Sequence, residues 1–336
     1  MSSDPRIVFV LGAAANKELD SNGFMPVGSE LANRIQQGFA AELQNGSRWP
    51  DGPISDALSR TPGLRDSHIQ AMRQIESGIT FKDSIDEFLD EWRDVPDMLT
   101  VGKLAISHQI LTSERATPFF LKEENSGAIA PVMTAIRDSW LGLVLRYANP
   151  GAPRRQVNDC LRGISFITFN YDRLLERALY WFIRFGQNQP QDQAVQQYRF
   201  IPIKHAYGSL GGLPIPNDGV VPLGSEAPYD IQRGASSIRT FTEESESEHR
   251  AAIQELMREA DKIVFLGFGF HPRNIELILP EYFRNSGVKL YGTSIGLRQR
   301  TKDLLDLDLN SAGTSIELHD KFCGPLIDEL RDDLFQ

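Results

Sequence analysis

Four short apolar segments, each followed directly by a turn of small or polar residues, constrain the fold of this chain most strongly. They span residues 7–11, 164–168, 263–266 and 288–291. Short, predominantly apolar runs of this length are typical of parallel strands buried on both faces, and a turn that leads into a helix is typical of βα units. We therefore predict an α/β fold, a doubly wound and mostly parallel Rossmann-like sheet, with a further strand at residues 316–318.

The hydrophobic pattern changes between the first and second of these segments. Apolar residues there recur at helical spacing, as Phe88 and Trp92 do, with polar residues between them. We therefore predict a helical insertion over residues 36–155. The α/β domain itself is predicted to consist of residues 1–35 and 156–336.

Charge and cysteine content narrow the classes of function. The chain has 35 Lys and Arg against 45 Asp and Glu, and its net charge of −10 repels a phosphate backbone, so we expect no direct nucleic-acid partner. Its two cysteines, Cys160 and Cys323, favour a reduced, cytoplasmic protein. No apolar run approaches the roughly 18 residues of a membrane span. We therefore expect neither membrane insertion nor secretion.

The turns at the strand ends are where a ligand is expected, because open parallel sheets bind ligands at the carboxyl ends of their strands. The turn at residues 12–16 has small side chains that let its backbone approach a ligand, and its amides suit a diphosphate. Small residues also let a helix pack closely against a strand. The chain has neither a G-x-G-x-x-G motif nor a P-loop, which disfavours a hydride-transferring dehydrogenase and a P-loop NTPase.

Polar side chains follow the second strand and the strand-like run before residue 205. Asn170 and Asp172 flank Tyr171 and could orient a ribose, a carboxamide or a water, but either could equally cap the next helix. His205 could move protons near neutral pH. A histidine at a strand end is also often a structural residue that is hydrogen-bonded to its neighbours.

Taken together and in this order, four segments resemble the bacterial SIR2-like family, which includes NADase effectors of antiphage defence. Residues 8–16 are similar to the family's first strand and its small-residue turn, and residues 26–32 to the Pro-x-Gly-x-x-Leu segment after it. Residues 168–172 contain the Asn-x-Asp element that is shared with sirtuins. Residues 263–274 resemble a bacterial SIR2-like signature. The last two segments are the most specific.

The chain departs from the family pattern at three positions. Ala14 stands where the family usually has glycine, and Asn16 where it often has serine. The family's His-Gly-Ser is here Tyr207-Gly208-Ser209, with His205 two positions before the tyrosine. In an extended strand, residues two apart face the same side, so His205 and Tyr207 are both expected to face the site. Histidine is the better base at neutral pH, which favours His205 as the proton acceptor. Otherwise, His205 ties the strand end to a neighbouring carbonyl.

The resemblance implies a hydrolase that cleaves NAD, as substrate, to nicotinamide and ADP-ribose without a metal ion. It implies that Asn170 orients the water or the ribose, that Asp172 holds nearby polar groups and that His205 accepts a proton. It further implies that the NAD-binding cleft is formed by small, polar and aromatic residues of the strand-end turns, namely Gly12, Ala13, Ala14, Asn16, Tyr171, Tyr207, Gly208, Ser209, Gly267, Phe268, Gly269, Asn274, Gly292 and Thr293.

Two other functions stay open at this point. A sirtuin-type protein deacylase normally carries a zinc module with four thiolates, which two cysteines cannot supply. A non-catalytic sensor would bind NAD or an ADP-ribose derivative in the same cleft, and release of free nicotinamide distinguishes it from an NADase. Because unrestrained NAD hydrolysis harms the host cell, the family resemblance implies a regulated homo-oligomer or a separate activating protein, such as a ring-forming HerA-like ATPase.

Overall fold

The structure is a computed structural model of the chain. It describes residues 5–20, 22–44, 49–60, 63–121, 129–148, 161–213, 221–240, 243, 248–284, 287–311 and 313–335. Cys160 lies outside the described residues, so its expected reduced state stays a prediction. None of the described helices is long and apolar enough to cross a membrane.

Six parallel strands form one sheet, in the spatial order β3-β2-β1-β4-β5-β6. Their register aligns Leu11 with Thr168 on one side and with Leu266 on the other, so the turns after three neighbouring strands meet at one edge. The α/β, Rossmann-like fold is therefore confirmed, with the predicted bounds of β1 and β2 unchanged and those of β4, β5 and β6 shifted by one or two residues. The strands are β1 (Ile7–Leu11), β2 (Ile164–Thr168), β3 (Ile203–His205), β4 (Lys262–Leu266), β5 (Lys289–Thr293) and β6 (Ile316–His319).

Between β1 and β2, every regular element of the described residues is helical. Short 3-10 turns occur at Ala13–Ala15 and Ile79–Phe81. Helix α2 begins before residue 36, and one continuous hydrophobic core includes residues of these helices and of the sheet, so the predicted domain boundaries stay a prediction. The helices are α1 (Asn16–Leu19), α2 (Gly28–Leu43), α3 (Pro53–Arg60), α4 (Asp66–Gly78), α5 (Ile85–Glu91), α6 (Pro96–Ala116), α7 (Ile129–Arg137) and α8 (Trp140–Tyr147).

After β2, helices alternate with the remaining strands, as a doubly wound sheet requires. A π-helical turn at Phe182–Gly186 extends the first of them. The described helices of this part are α9 (Leu174–Trp181), α10 (Gln191–Arg199), α11 (Pro228–Ser237), α12 (Glu248–Glu259), α13 (Pro272–Ile278), α14 (Gln299–Ser311), α15 (Cys323–Glu329) and α16 (Arg331–Phe335).

An aromatic group joins helix α8 to the sheet. Phe9 and Phe166 lie on adjacent strands with ring centroids 5.7 Å apart, and Trp140 lies 6.3 Å from Phe9. All three side chains are fully buried. The indole nitrogen of Trp140 also donates to the carbonyl of Ala15, at 3.0 Å, so a large apolar contact and a directional hydrogen bond together fix the turn after β1.

A fully buried ion pair joins the end of α6 to the turn after β2. Arg173 Nη2 lies 2.6 Å from Glu114 Oε2, its Nε lies 3.0 Å from Oε1, and neither side chain is exposed. The backbone amides of Arg173 and Gly224 also donate to this carboxylate, and Arg173 Nη1 donates to the carbonyl of Val221. Because both charges are surrounded by hydrogen-bonding partners, the burial cost of the pair is offset.

We expect Glu114→Ala to lower the free energy of unfolding by about 3–5 kcal/mol, because it leaves the Arg173 guanidinium buried without a counter-charge. Urea denaturation of the variant and the wild type measures the difference. Asp138→Ala is the control, since it breaks the exposed pair between Arg137 and Asp138 and should change stability little. Equal effects of the two substitutions would contradict a structural role for the buried pair.

Candidate functional site

A cavity of about 650 Å³ lies at the carboxyl edge of the sheet. Its volume is within the roughly 300–1,000 Å³ typical of small-molecule sites. The turns after β1, β2, β4 and β5 all contribute to its lining, through Gly12, Asn170, Gly267 and Ile295. The strand-end turns singled out in the sequence therefore meet at one cleft.

The turns after β1 and β4 cross in backbone contact, and this crossing requires two glycines. A Cβ atom on Gly12 would lie 2.3 Å from the carbonyl oxygen of Gly267. Gly267 has a φ of +57°, and a Cβ atom there would lie 2.2 Å from the amide nitrogen of Ala15. Close packing of the two turns therefore accounts for both glycines, independently of any ligand.

Two backbone amides of the turn after β1 donate to backbone carbonyls instead of facing a ligand. The Gly12 amide donates to the carbonyl of Leu266 at 3.0 Å, and the Ala14 amide donates to that of Gly267 at 3.3 Å. These two amides were expected to hold a diphosphate, but the crossing turn of β4 already occupies them. A diphosphate in this cleft would need other partners.

Asn170 lies in the cleft in a fixed orientation. Its backbone amide donates to Thr168 Oγ1 at 3.1 Å, and its side-chain Nδ2 donates to the carbonyl of Gly12 at 3.3 Å. This arrangement leaves Oδ1 as the acceptor for a hydroxyl group or a water molecule. The residue is therefore placed as the sequence predicted, at a strand end and facing a cavity.

Asp172 and Asn16 do not line the cavity. They are buried, with Asn16 Nδ2 donating to Asp172 Oδ2 at 2.7 Å. Asp172 Oδ1 accepts from the amide of Leu174 at 2.9 Å, which is the helix-capping role left open by the sequence. Burial raises the pKa of Asp172 to about 7, the hydrogen bond from Leu174 opposes this shift, and the nearby Glu114 and Glu176 add to it.

His205 also lies outside the cavity lining, and both of its ring nitrogens have partners. Nδ1 is 2.8 Å from the carbonyl oxygen of Asn170, and Nε2 contacts the carboxylate of Glu176. Burial alone would lower the pKa of His205, but the Glu176 carboxylate outweighs it and raises the pKa. The structure therefore gives His205 the tying contact that the sequence left as the alternative to proton transfer.

Tyr207, in contrast, does line the cavity. Strand β3 ends at His205, so the alternation of a strand does not continue to Tyr207 and the two side chains do not share a face. Its hydroxyl donates to Asn274 Oδ1 at 2.7 Å, and its ring meets Phe169 edge-on with centroids 5.5 Å apart. The residue in the position of the family's histidine is thus the one that reaches the cleft.

Some of the remaining sequence-predicted residues line the cavity and others do not. Tyr171 is buried and donates its hydroxyl hydrogen bond to Asp86, Gly208 packs against Ser237, Ser209 bonds the carbonyl of Gly211, and Gly292 packs between apolar side chains. None of these four predicted residues lines the cavity. The predicted residues that do line it are Gly12, Ala13, Ala14, Asn170, Tyr207, Gly267, Phe268, Gly269, Asn274 and Thr293.

Sequence analysis did not predict that helices between β1 and β2 form one wall of the cleft. Asp83, Ser84 and Asp86, around the start of α5, line the cleft, as does Ser29 at the start of α2. Asp86 occupies an ordinary polar position of an amphipathic helix, so the sequence contains no signal that could have singled it out. Arg298 lines the opposite end, beside the start of α14.

An ion pair joins two walls of the cleft. Arg273 in α13 contacts Asp90 in α5 at 2.8 Å, with the arginine half-exposed and the aspartate nearly buried. The turn before α13 includes His271, which also lines the cleft. Helix α5 is therefore attached to the sheet side of the cleft as well as to the other helices around it.

Comparison of the chain with protein-family models gives no match, and comparison with curated proteins gives none either. The resemblance to SIR2-like proteins therefore rests on the quoted segments.

We expect His205→Ala to destabilise the protein by about 1.5–3 kcal/mol, because it removes a hydrogen bond to the buried carboxylate of Glu176. The pKa of His205 is raised in the folded state, so its charge stabilises the protein fully below about pH 6.5 and progressively less as pH rises through the folded-state pKa. Urea denaturation at pH 6 and pH 9 should show the larger loss at pH 6. A loss that is equal at both pH values, or absent, would contradict this role.

Proposed function

We propose that this protein is an NAD glycohydrolase that cleaves NAD to nicotinamide and ADP-ribose, and that it acts as a regulated effector of bacterial antiphage defence. The observation that carries the proposal is the position of Asn170. Its amide is fixed at the strand end of a Rossmann-like sheet, inside a cleft of suitable volume, with one acceptor atom left for a hydroxyl group or water.

The lining of the cleft suits the two ends of a dinucleotide. The nicotinamide ribose would lie beside Asn170, with the aromatic side chains of Tyr207 and Phe268 next to it. The adenosine end would lie toward Thr293, the residue that ends β5. Arg298, which also lines the cleft, would supply a positive charge for a phosphate group. The amides of Gly12 and Ala14 would not bind that phosphate, because they already donate to backbone carbonyls.

The chemistry required is breakage of the bond between ribose C1′ and nicotinamide N1. The bonding electron pair leaves with nicotinamide, and C1′ becomes an oxocarbenium-like cation that a water molecule attacks. Asn170 Oδ1 would accept a hydrogen bond from that water or from a ribose hydroxyl and so hold the reacting atoms in line. His205 would support this indirectly, because its ring holds the carbonyl of Asn170.

A non-catalytic NAD sensor is the second candidate, and one observation favours it. The position of the family's histidine is filled by Tyr207, while His205 lies outside the cleft with both ring nitrogens engaged. A sensor would bind NAD without releasing nicotinamide. The product assay therefore separates the two functions.

We expect Asn170→Ala to reduce nicotinamide release by about 100-fold or more while leaving the melting temperature and the assembly nearly unchanged. Purified protein is incubated with NAD, alone and with proteins encoded beside it, and the products are identified by chromatography. Asn33→Ala is a matched control, because Asn33 lies exposed on α2 away from the cleft. NAD binding without nicotinamide from the wild type would favour the sensor, and an active Asn170→Ala would refute the site.

We further propose that the protein is a homo-oligomer whose activity stays low until assembly, or a separate protein such as a HerA-like ring ATPase, changes the cleft. Light scattering during size-exclusion chromatography gives the mass, and nicotinamide release is measured on the same fractions. A monomer at micromolar concentration with full turnover would contradict both parts.

A further inference from the structure

Asp86 belongs to helix α5, yet it lines the same cleft as Asn170. It accepts a hydrogen bond from the hydroxyl of Tyr171, the residue next to Asn170 in the turn after β2. A helix from between β1 and β2 thus carries a carboxylate to the strand end where the ribose of NAD is proposed to bind.

The fold uses Asp86 Oδ1, which accepts the hydrogen bond from Tyr171. Helix α5 is already capped by Ser84, whose Oγ accepts from the amide of Glu87 at 3.2 Å. Among the described residues Asp86 forms no ion pair, although its side chain is only partly exposed to solvent. A carboxylate in such a place costs stability unless a partner or a ligand compensates for it.

The charged and titratable groups around Asp86 come from three parts of the chain. Asp83 and Glu87 lie on its own segment, Tyr171 follows β2, and His271 precedes α13. More distant acidic and phenolic groups, Glu243 and Tyr207, act on Tyr171. Within the part of the chain that the structure describes, His271 is the one basic group that acts on Asp86, and with the Tyr171 hydrogen bond it favours the ionised carboxylate.

On the basis of the proposed NAD cleavage, we propose that Asp86 is a catalytic carboxylate of the reaction. As the C1′–N1 bond breaks, its negative charge stabilises the positive ribosyl group. It then accepts one proton from the attacking water, whose oxygen forms the new bond to C1′, and later releases that proton to solvent. Nicotinamide leaves as a neutral molecule, so the charges balance.

The surroundings of Asp86 make it a stronger base than an exposed aspartate. Burial raises the pKa of Asp86, while the hydrogen bond from Tyr171 and the neighbouring His271 oppose the increase. A base with a raised pKa removes a proton from water more effectively than an exposed aspartate does. Since the ionised form is required, activity should fall as pH falls through this pKa.

The alternative role for Asp86 is purely structural, as a tether between α5 and the turn that carries Asn170. Two substitutions separate these roles. Asp86→Asn removes the charge but keeps an oxygen that can accept from Tyr171, so the tether remains. Tyr171→Phe removes the tether but keeps the carboxylate.

For Asp86→Asn we expect at least about a 100-fold loss of nicotinamide release, with NAD affinity and melting temperature nearly unchanged. For Tyr171→Phe we expect less than a tenfold loss and an acidic limb of the pH–rate profile displaced to higher pH, because the hydrogen bond that lowers the Asp86 pKa is gone. Asp56→Asn, an exposed aspartate in the first turn of α3, is the matched control and should keep full turnover.

Nicotinamide release is followed by chromatography, NAD affinity by calorimetry and stability by thermal melting. If Asp86→Asn keeps a third or more of wild-type turnover, or if its loss is matched by that of Tyr171→Phe together with a lower melting temperature, the catalytic role is refuted while NAD cleavage stands. If the wild type itself releases no nicotinamide, the proposed function fails and this role fails with it.

Discussion

The buried ion pair between Glu114 and Arg173 is the interaction on which the site depends. Arg173 follows Asn170, Tyr171 and Asp172 directly, and both its backbone amide and its guanidinium are bound by one carboxylate of α6. The turn that carries Asn170 is therefore held in place by α6, a helix that lies between β1 and β2 in the chain. The turn is also held by the hydrogen bonds from Tyr171 to Asp86 in α5 and from Asn16 to Asp172, so the buried ion pair acts together with contacts from two other elements.

The fold could be predicted because short apolar segments and helical spacing are local patterns, and neighbouring parallel strands end at the same edge of a sheet. The same reasoning placed Asn170, Gly267 and Tyr207 at the cleft. It failed where the answer depends on contacts between distant segments. The amide of Gly12 is occupied by Leu266, β3 ends before the alternation reaches Tyr207, and no periodicity tells which polar residue of α5 faces the sheet.

Two of the departures from the SIR2-like pattern have partners in the structure. Asn16, where the family often has serine, reaches Asp172 and compensates a carboxylate that is otherwise cut off from solvent. Tyr207, where the family has histidine, is paired with Asn274. Each of these two side chains is thus matched by a polar atom at hydrogen-bond distance.

Helix α5 forms one wall of the cleft and is joined to the opposite side through Asp86 to Tyr171 and through Asp90 to Arg273. Its other packing partners include α2 and α6, which lie on the same side of the molecule. The cleft therefore lies between the sheet edge and a helix, and both belong to one continuous hydrophobic core. Because α5 is joined to the sheet side at two points and packs on α2 and α6, a displacement of those two helices would change the distance between the cleft walls.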